Sequence, residues 1–292
     1  MRSLLFVPAD SPHKLAKALS CGADAVIVDL EDSIAHSAKS AARASATDFL
    51  RDVAKAGNGP RIFVRINALD SGFADDDLDA VMSAAPQAIV LPKSTAGADV
   101  QHLGVKLAVR EAEYGLADGA TGILAIATET AASIFAMGTY AGASRRLVGL
   151  AWGAEDLAAC LGSETSRLDN GTYTAPYLFA RTLTLFAAAA AGVEAIDAVL
   201  TKFHDHARLR LECEAAKRDG FTAKMAIHPK QVPIINEIFT PSPEALERAR
   251  AIVAAFAANA EAGVLSLSGE MLDRPHLKRA ERLLARTPAP KA

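Results

Sequence analysis

The chain has 292 residues, of which 51% are hydrophobic and 22% are charged, and its formal net charge is −3. Near-balanced charge without a basic block excludes nucleic acid and anionic membranes as expected partners. The three cysteines are far apart and form no CxxC pair, which argues against a disulfide framework or a thiolate zinc site. The longest apolar stretch, 183–196, reaches a glutamate before it could span a bilayer. We therefore expect a cytoplasmic protein.

Short apolar runs alternate with amphipathic segments from the N-terminus onward. The apolar runs predict strands at Ser3–Val7, Ala25–Asp29, Arg61–Arg65, Ala88–Leu91, Gly122–Ala127, Leu147–Ala151, Ala195–Leu200 and Ala223–Ile227. The segments between them, rich in Ala, Leu, Lys, Arg and Glu, predict helices near 12–20, 38–54, 75–84, 97–113, 130–140, 173–191, 204–219 and 230–239. The strands are apolar throughout rather than alternating, which is typical of strands covered on both faces.

Eight strand–helix units within residues 1–240 predict a (β/α)₈ barrel as the fold class. A doubly wound open sheet is the alternative, but that fold usually carries a glycine-rich phosphate loop after its first strand. Here the first strand runs into PADSPHK instead. Residues 241–292 predict a C-terminal helical extension, with Ser242 as a candidate N-cap. Barrel closure does not need this extension, so we expect it to pack outside the barrel or to reach a neighbouring subunit.

Charged side chains follow the second and third predicted strands where each strand ends. Asp29, Glu31 and Asp32 come after the second strand, and Arg65 ends the third. Functional residues of barrels gather at these strand ends. A guanidinium at the end of an apolar strand needs a partner. Arg65 therefore either binds a substrate oxygen on which negative charge develops or pairs with Asp29 or Glu31, and the two roles are compatible.

Two further carboxylates, Glu129 and Asp156, follow the fifth and sixth predicted strands. Adjacent strand ends would bring them to the same mouth, where two carboxylates with open positions for water and substrate suit Mg²⁺. No histidine or cysteine accompanies them, which argues against zinc. The alternative is that each carboxylate caps the helix that follows it. The residues alone leave both interpretations open.

Lys93, in the segment VLPKS after the fourth predicted strand, also has two interpretations. It could form a Schiff base, which requires a depressed pKa, or an ion pair with the acidic cluster after the second strand. Nothing near it in the sequence would depress its pKa, so the ion pair is favoured.

Nine segments occur in an order that resembles the citrate lyase β-subunit and malyl-CoA lyase family. They are LLFVPADSPHKLAKAL, VIVDLEDSI, FVRINALDSG, IVLPKS, ATETA, WGAEDLAACLG, AIHPKQV, FTPSPEAL and GEMLD. The resemblance covers nearly the whole chain. It implies a (β/α)₈ barrel with a C-terminal extension and Mg²⁺-dependent carbon–carbon chemistry on CoA-type thioesters.

The resemblance also implies roles for individual residues. Glu129 and Asp156 would hold Mg²⁺, and Arg65 would bind substrate. Asp273 would act as the acid or base in the active site of a neighbouring subunit, which implies a closed homo-oligomer, most simply a trimer. Glu129 would also contact substrate, and Lys14 would be a candidate contact for the CoA phosphates, although solvated helix lysines are common.

The resemblance assigns the acidic cluster to the surroundings of the metal rather than to its direct ligands. Asp29, Glu31 and Asp32 would pair with Arg65 and Lys93 and would orient water on the metal. Through such a water, Glu31 or Asp32 would contact substrate.

The expected activity is cleavage of a 3-hydroxyacyl-CoA thioester such as malyl-, citramalyl- or citryl-CoA, with thioesterase activity as a further candidate. One alternative is the β subunit of a citrate lyase complex that uses an acyl-carrier-protein thioester. Another is a metal-dependent aldolase for 4-hydroxy-2-oxo acids, against which the long extension and Asp273 argue. A non-catalytic scaffold subunit is the remaining alternative, and the presence of all the candidate site residues argues against it.

Overall fold

The computed structural model describes residues 1–57 and 59–286. Eight parallel strands form a closed barrel in sequential order, with the last strand paired to the first. The strands are β1 (Ser3–Pro8), β2 (Ala25–Asp29), β3 (Arg61–Arg65), β4 (Ala88–Leu91), β5 (Gly122–Ile126), β6 (Leu147–Ala151), β7 (Glu194–Asp197) and β8 (Ala223–Ala226). The predicted (β/α)₈ barrel is therefore confirmed.

Helices connect the strands and follow β8. They are α1 (Pro12–Ala18), α2 (Lys39–Ala56), α3 (Ala74–Val81), α4 (Gly97–Glu113), α5 (Ala131–Ile134), α6 (Glu155–Leu161), α7 (Ala175–Ala191), α8 (His206–Asp219) and α9 (Val232–Phe239). The helix predicted near 130–140 is instead the single turn α5 followed by a 3₁₀ segment, Met137–Tyr140. Side-chain hydroxyls of Ser133 and Thr139 donate to the backbone carbonyls of Thr130 and Ala136, bonds that compete with a continuous helix.

Side chains alternate between the barrel interior and the helix layer along each strand. On β2, Ala25 and Ile27 join an interior cluster drawn from the strands, whereas Val26 and Val28 join the larger core that includes helix residues. Both faces are buried, which explains why the strands are apolar throughout.

A buried ion-pair network ties β7 to β8. The Lys224 ammonium lies 2.8 Å from Asp197 Oδ2, and Asp197 Oδ1 accepts a hydrogen bond from Trp152 Nε1 at 2.8 Å. Arg181 lies 3.2 Å from the same carboxylate. Burial raises the pKa of Asp197, but Lys224 and Arg181 outweigh it, so that pKa is lowered overall. The negative charge of the Asp197 carboxylate is therefore balanced by the neighbouring Lys224 and Arg181 side chains.

The chain divides into two compact units, Met1–Phe239 and Thr240–Ala292. The second unit contains α10 (Pro243–Ala258), the antiparallel hairpin of β9 (Val264–Leu267) and β10 (Glu270–Asp273), and α11 (Arg274–Ala285). Ser242 caps α10 by accepting a hydrogen bond from Ala245 N, as predicted. The extension is thus not purely helical, and its own core includes Ile252, Phe256 and Leu272.

None of the described helices combines the length and apolar composition that crossing a membrane requires.

Asp197→Asn is expected to destabilise the barrel by about 3–5 kcal/mol, because it leaves the buried Lys224 ammonium without its nearest carboxylate. Urea unfolding at pH 7 measures this loss. Since the folded-state pKa of Asp197 lies below the unfolded value of about 3.9, its stabilisation is present above about pH 4 and is lost as the pH falls through the folded-state pKa.

The matched control is Glu237→Gln, which removes one carboxylate from an exposed pair with Arg210 and should leave the unfolding free energy nearly unchanged. An Asp197→Asn protein as stable as the wild type would contradict the assignment.

Candidate active site

A cavity of about 330 Å³ opens at the carboxyl ends of the barrel strands. Pro8, Asp29 and Arg65, the last residues of β1, β2 and β3, line it, together with Ile126 at the end of β5. The cavity therefore lies at the mouth where barrel enzymes carry their functional residues.

The Asp29 carboxylate and the Arg65 guanidinium form a bidentate pair at this mouth. Strand register places the two residues side by side, and Arg65 Nε and Nη2 donate to Asp29 Oδ1 and Oδ2 at 2.7 Å each. Both side chains are nearly buried. Burial opposes the charge on Arg65, but the bond to Asp29 outweighs burial and raises its pKa. Arg65 is therefore a fixed, permanently charged group in the cavity wall.

Glu31 is a second carboxylate beside Arg65. Arg65 Nη1 lies 2.9 Å from Glu31 Oε2, an ion-pair distance without hydrogen-bond geometry, and Oε1 accepts a short hydrogen bond from Lys93 Nζ. Burial raises the pKa of Glu31 in spite of these two cations. The expected partners of the acidic cluster, Arg65 and Lys93, are thus confirmed, and the ion-pair interpretation of Lys93 holds.

A buried lysine that the sequence did not single out fixes the backbone of the acidic loop. Lys39, at the start of α2, donates from Nζ to the carbonyls of Leu30 and Glu31 at 2.7 Å each and to Asn67 Oδ1 at 2.8 Å. Asn67 is bonded in turn to Asp77, which is fully buried. No sequence pattern distinguishes Lys39, because it is one of many lysines at helical spacing.

The acidic run ADDDLD, residues 74–79 at the start of α3, contains one buried carboxylate, that of Asp77. It accepts hydrogen bonds from Asn67 N and Nδ2 at 2.8 and 2.6 Å, and Arg43 Nε donates to it at 2.7 Å. The other aspartates of the run, Asp75, Asp76 and Asp79, have exposed side chains.

Glu129 follows β5 and is 4% exposed. Its Oε2 accepts a hydrogen bond from the backbone N–H of Lys93 at 2.6 Å. Burial, with the nearby charge of Asp156, raises the pKa of Glu129 to about 8. Gly153 makes room for this side chain, because an added Cβ would lie 2.8 Å from Glu129 Cγ.

The helix-cap interpretation is wrong for both Glu129 and Asp156. Thr130 caps α5, accepting a hydrogen bond from Ser133 N, while Glu129 turns to Lys93. Asp156 lies in the first turn of α6, whose N-cap position is Ala154 without a side-chain cap bond. Both carboxylates instead line the cavity.

This donor set fits a magnesium ion. Two carboxylates line one cavity, with no histidine or cysteine among the described residues of its wall, and burial together with the charge of Asp156 raises the pKa of Glu129. Among the residues that the structure describes, no three His, Cys, Asp or Glu side chains gather to bind a metal. Glu129 and Asp156 could thus supply two ligands, with water and substrate completing the coordination.

The remaining predicted residues are Asp32, Lys14 and Asp273, and of these Asp32 lines the cavity. Asp32 lines the cavity and lies 3.0 Å from Lys93 Nζ, with its side chain 55% exposed. Lys14 lies on the exposed face of α1 and is not part of the cavity wall. Asp273 belongs to the extension, at the start of α11, where its Oδ1 lies 2.5 Å from His276 Nδ1.

The fold and the site define a (β/α)₈-barrel enzyme with an acidic mouth and one buried guanidinium. Residues 2–229 match the HpcH/HpaI aldolase/citrate lyase family, and the chain belongs to this family of lyases and aldolases. The resemblance drawn from the sequence motifs is therefore confirmed.

Known relatives include enzymes with different named activities. The chain is 33% identical to citrate lyase subunit beta of Leuconostoc mesenteroides subsp. cremoris, over 97% of this chain and 92% of the relative. It is 36% identical to the (3S)-malyl-CoA thioesterase of Cereibacter sphaeroides, over 99% and 95%. A crystal structure of protein CitE from Mycobacterium tuberculosis in complex with magnesium, acetoacetate and coenzyme A is similar, with a TM-score of 0.74, 36% identity and coverage of 98% and 97%.

Gly153→Ala is expected to weaken Mg²⁺ binding by about tenfold or more, because the new methyl group would crowd Glu129 Cγ and Oε1 at 2.8 and 3.0 Å. Overpacking of this kind costs roughly 1–3 kcal/mol. Titration calorimetry with MgCl₂ measures the change. The matched control is Gly138→Ala, where a Cβ meets nothing within 4 Å. Equal Mg²⁺ affinities for Gly153→Ala and wild type would show that Glu129 is not a ligand.

Proposed function

We propose that this chain is a Mg²⁺-dependent carbon–carbon lyase. It cleaves a 3-hydroxyacyl-CoA thioester, such as malyl-, citramalyl- or citryl-CoA, to acetyl-CoA or its analogue and a 2-oxo acid. The observation that carries the proposal is the presence of Glu129, Asp156 and Arg65 in the wall of one cavity, with neither carboxylate used as a helix cap. The similar CitE structure, which contains magnesium, acetoacetate and coenzyme A, supports it.

Glu129 and Asp156 would hold the Mg²⁺ ion. When bound, the ion would lower the pKa of the substrate hydroxyl and polarise the oxygen that becomes the new carbonyl. Three further carboxylates in the same wall, Asp29, Asp32 and Glu155, limit where an anionic substrate can lie, because they repel its negative groups. The substrate's charged groups must therefore face the metal or Arg65.

Arg65 would bind the oxygen on which negative charge develops. A guanidinium carries five N–H donors, and the bonds to Asp29 use two of them, one on Nε and one on Nη2. The second N–H of Nη2 and those of Nη1, which lies at ion-pair distance from Glu31, remain for substrate. Because the pair with Asp29 holds the plane of the guanidinium in advance, these donors need no reorganisation during the reaction.

Cleavage breaks the bond between the hydroxyl-bearing carbon and the α-carbon of the thioester. The hydroxyl would release its proton to solvent and become the carbonyl of the 2-oxo acid, and the bonding electron pair would pass to the thioester as an enolate. The enolate then takes one proton at its α-carbon.

Asp273 from a neighbouring copy is proposed to carry that proton, within a closed homo-oligomer that we propose to be a trimer. The hydrogen bond to His276 lowers the pKa of Asp273, so its carboxyl is ionised at neutral pH. This state suits removal of the α-proton in the condensing direction. In the cleaving direction Asp273 must first gain a proton.

Thioester hydrolysis is a second candidate activity, favoured by the 36% identity with a named malyl-CoA thioesterase. The 33% identity with a citrate lyase subunit beta favours an acyl-carrier-protein thioester in place of the CoA thioester. Both would retain the same metal, Arg65 and carboxylates, and they differ from the proposed lyase in the carrier or in whether water attacks the thioester.

Glu129→Ala and Asp156→Ala are each expected to abolish Mg²⁺ binding and to lower kcat by at least about 10³-fold, since each removes a metal ligand. Titration calorimetry and 2-oxo acid release from malyl-CoA are the measurements, with circular dichroism to verify folding. Asp52→Ala, which removes an exposed carboxylate on α2, is the control and should leave both unchanged. Turnover near the wild-type rate in either site variant would refute the metal assignment.

Asp273→Asn is expected to stop proton transfer at the thioester α-carbon while leaving 2-oxo acid binding intact. Exchange of solvent deuterium into acetyl-CoA, followed by mass spectrometry, reports that proton transfer directly. Glu270→Gln on the same hairpin is the control, since its carboxylate pairs with Arg248. Exchange at the normal rate in Asp273→Asn would remove Asp273 from the mechanism.

A further inference from the structure

We infer that Lys93 is the built-in counter-ion of the metal site, and that its ammonium competes with Mg²⁺ for Asp156. The inference rests on the proposed function, because it assumes that Glu129 and Asp156 bind Mg²⁺. It concerns how the site is held together before the metal binds. Three observations on Lys93 carry it: its backbone conformation, its contacts and the charge around it.

The backbone of Lys93 is left-handed, with φ of 51°. This region is unfavourable for a residue with a Cβ, and glycine is the usual occupant. In this conformation, the N–H of Lys93 points at Glu129 Oε2, 2.6 Å away. An unfavourable conformation at a cavity rim is retained where the surrounding contacts require it.

The side chain of Lys93 contacts the other carboxylates of the mouth. Its Nζ donates a short bond to Glu31 Oε1, lies 3.0 Å from Asp32 Oδ2 and lies 3.5 Å from Asp156 Oδ1. One residue therefore contacts both candidate metal ligands, Glu129 through its backbone and Asp156 through its ammonium. Burial would lower the pKa of Lys93, but Glu31 outweighs it and raises that pKa, so the ammonium stays charged.

The charge around the cavity explains why a resident cation is needed. Among the described residues that line the cavity, five are carboxylates and Arg65 is the single Lys or Arg side chain. Arg65 is committed to Asp29 and Glu31. Lys93 is then the cation that offsets repulsion between Asp32 and Asp156 across the mouth.

Binding of Mg²⁺ at Asp156 must therefore displace or repel the ammonium. A doubly charged Mg²⁺ ion and a singly charged ammonium about 6 Å apart repel each other by roughly 1.4 kcal/mol even in water. This repulsion corresponds to about a tenfold difference in Mg²⁺ affinity. Lys93 thus stabilises the metal-free site and weakens metal binding, so the site exchanges one cation for another.

The test is Lys93→Met, which keeps an unbranched side chain one atom shorter and the same left-handed backbone cost but removes the charge. MgCl₂ titration calorimetry on the substrate-free protein should show about tenfold tighter binding. Thermal unfolding should show a lower Tm without Mg²⁺ and a larger rise in Tm on adding it. Lys93→Gln, also neutral, should shift Mg²⁺ affinity in the same direction.

Lys106→Met is the matched control, because its ammonium pairs with exposed Asp75 between α3 and α4, and it should bind Mg²⁺ as the wild type does. Unchanged or weaker Mg²⁺ binding by both Lys93 variants would overturn the inference and leave the proposed function standing. Absence of Mg²⁺ binding in the wild type would instead overturn the proposed function, and this inference with it.

Discussion

The bidentate pair between Asp29 and Arg65 is the contact on which the mouth of the barrel depends. Parallel pairing of β2 with β3 sets the two residues in register, and their four polar atoms meet at 2.7 Å in a nearly buried position. A buried guanidinium without its carboxylate is strongly destabilising, so neither residue can be changed alone without cost. The pair also orients the remaining donors of Arg65 toward the cavity that a substrate would enter.

Two buried networks in this barrel show how a structural charge cluster differs from a functional one. Asp197 is matched by Lys224 and Arg181 and hydrogen-bonded by Trp152, and its pKa is lowered. Glu129, in contrast, keeps a raised pKa of about 8 because burial and Asp156 outweigh its hydrogen bond from Lys93. The first network is complete as it stands. The second has a surplus of negative charge that a divalent cation would complete, which is why perturbed carboxylates of this kind indicate function.

The sequence predicted the barrel, the strand ends and the pairing of the acidic cluster with Arg65 and Lys93, because strand periodicity fixes which side chains meet at the mouth. It could not predict Lys39, whose buried contacts to the acidic loop depend on how α2 packs. It also could not predict the burial of Asp77, which only the three-dimensional contacts with Asn67 distinguish from its solvated neighbours. Long-range contacts of this kind leave no periodic signal. The roles of Asp273 and Lys14 came from family resemblance and stay predictions.

We propose that this acidic mouth cleaves a carbon–carbon bond with the help of Mg²⁺. The most direct measurement is a screen of 3-hydroxyacyl-CoA thioesters with the purified protein, following 2-oxo acid and free CoA separately, with MgCl₂ and with EDTA. At least one thioester should release 2-oxo acid with Mg²⁺, and EDTA should abolish this release. Free CoA appearing at the same rate would add thioesterase activity. Release of 2-oxo acid from none of the thioesters, or release that EDTA does not diminish, would contradict the proposed Mg²⁺-dependent cleavage.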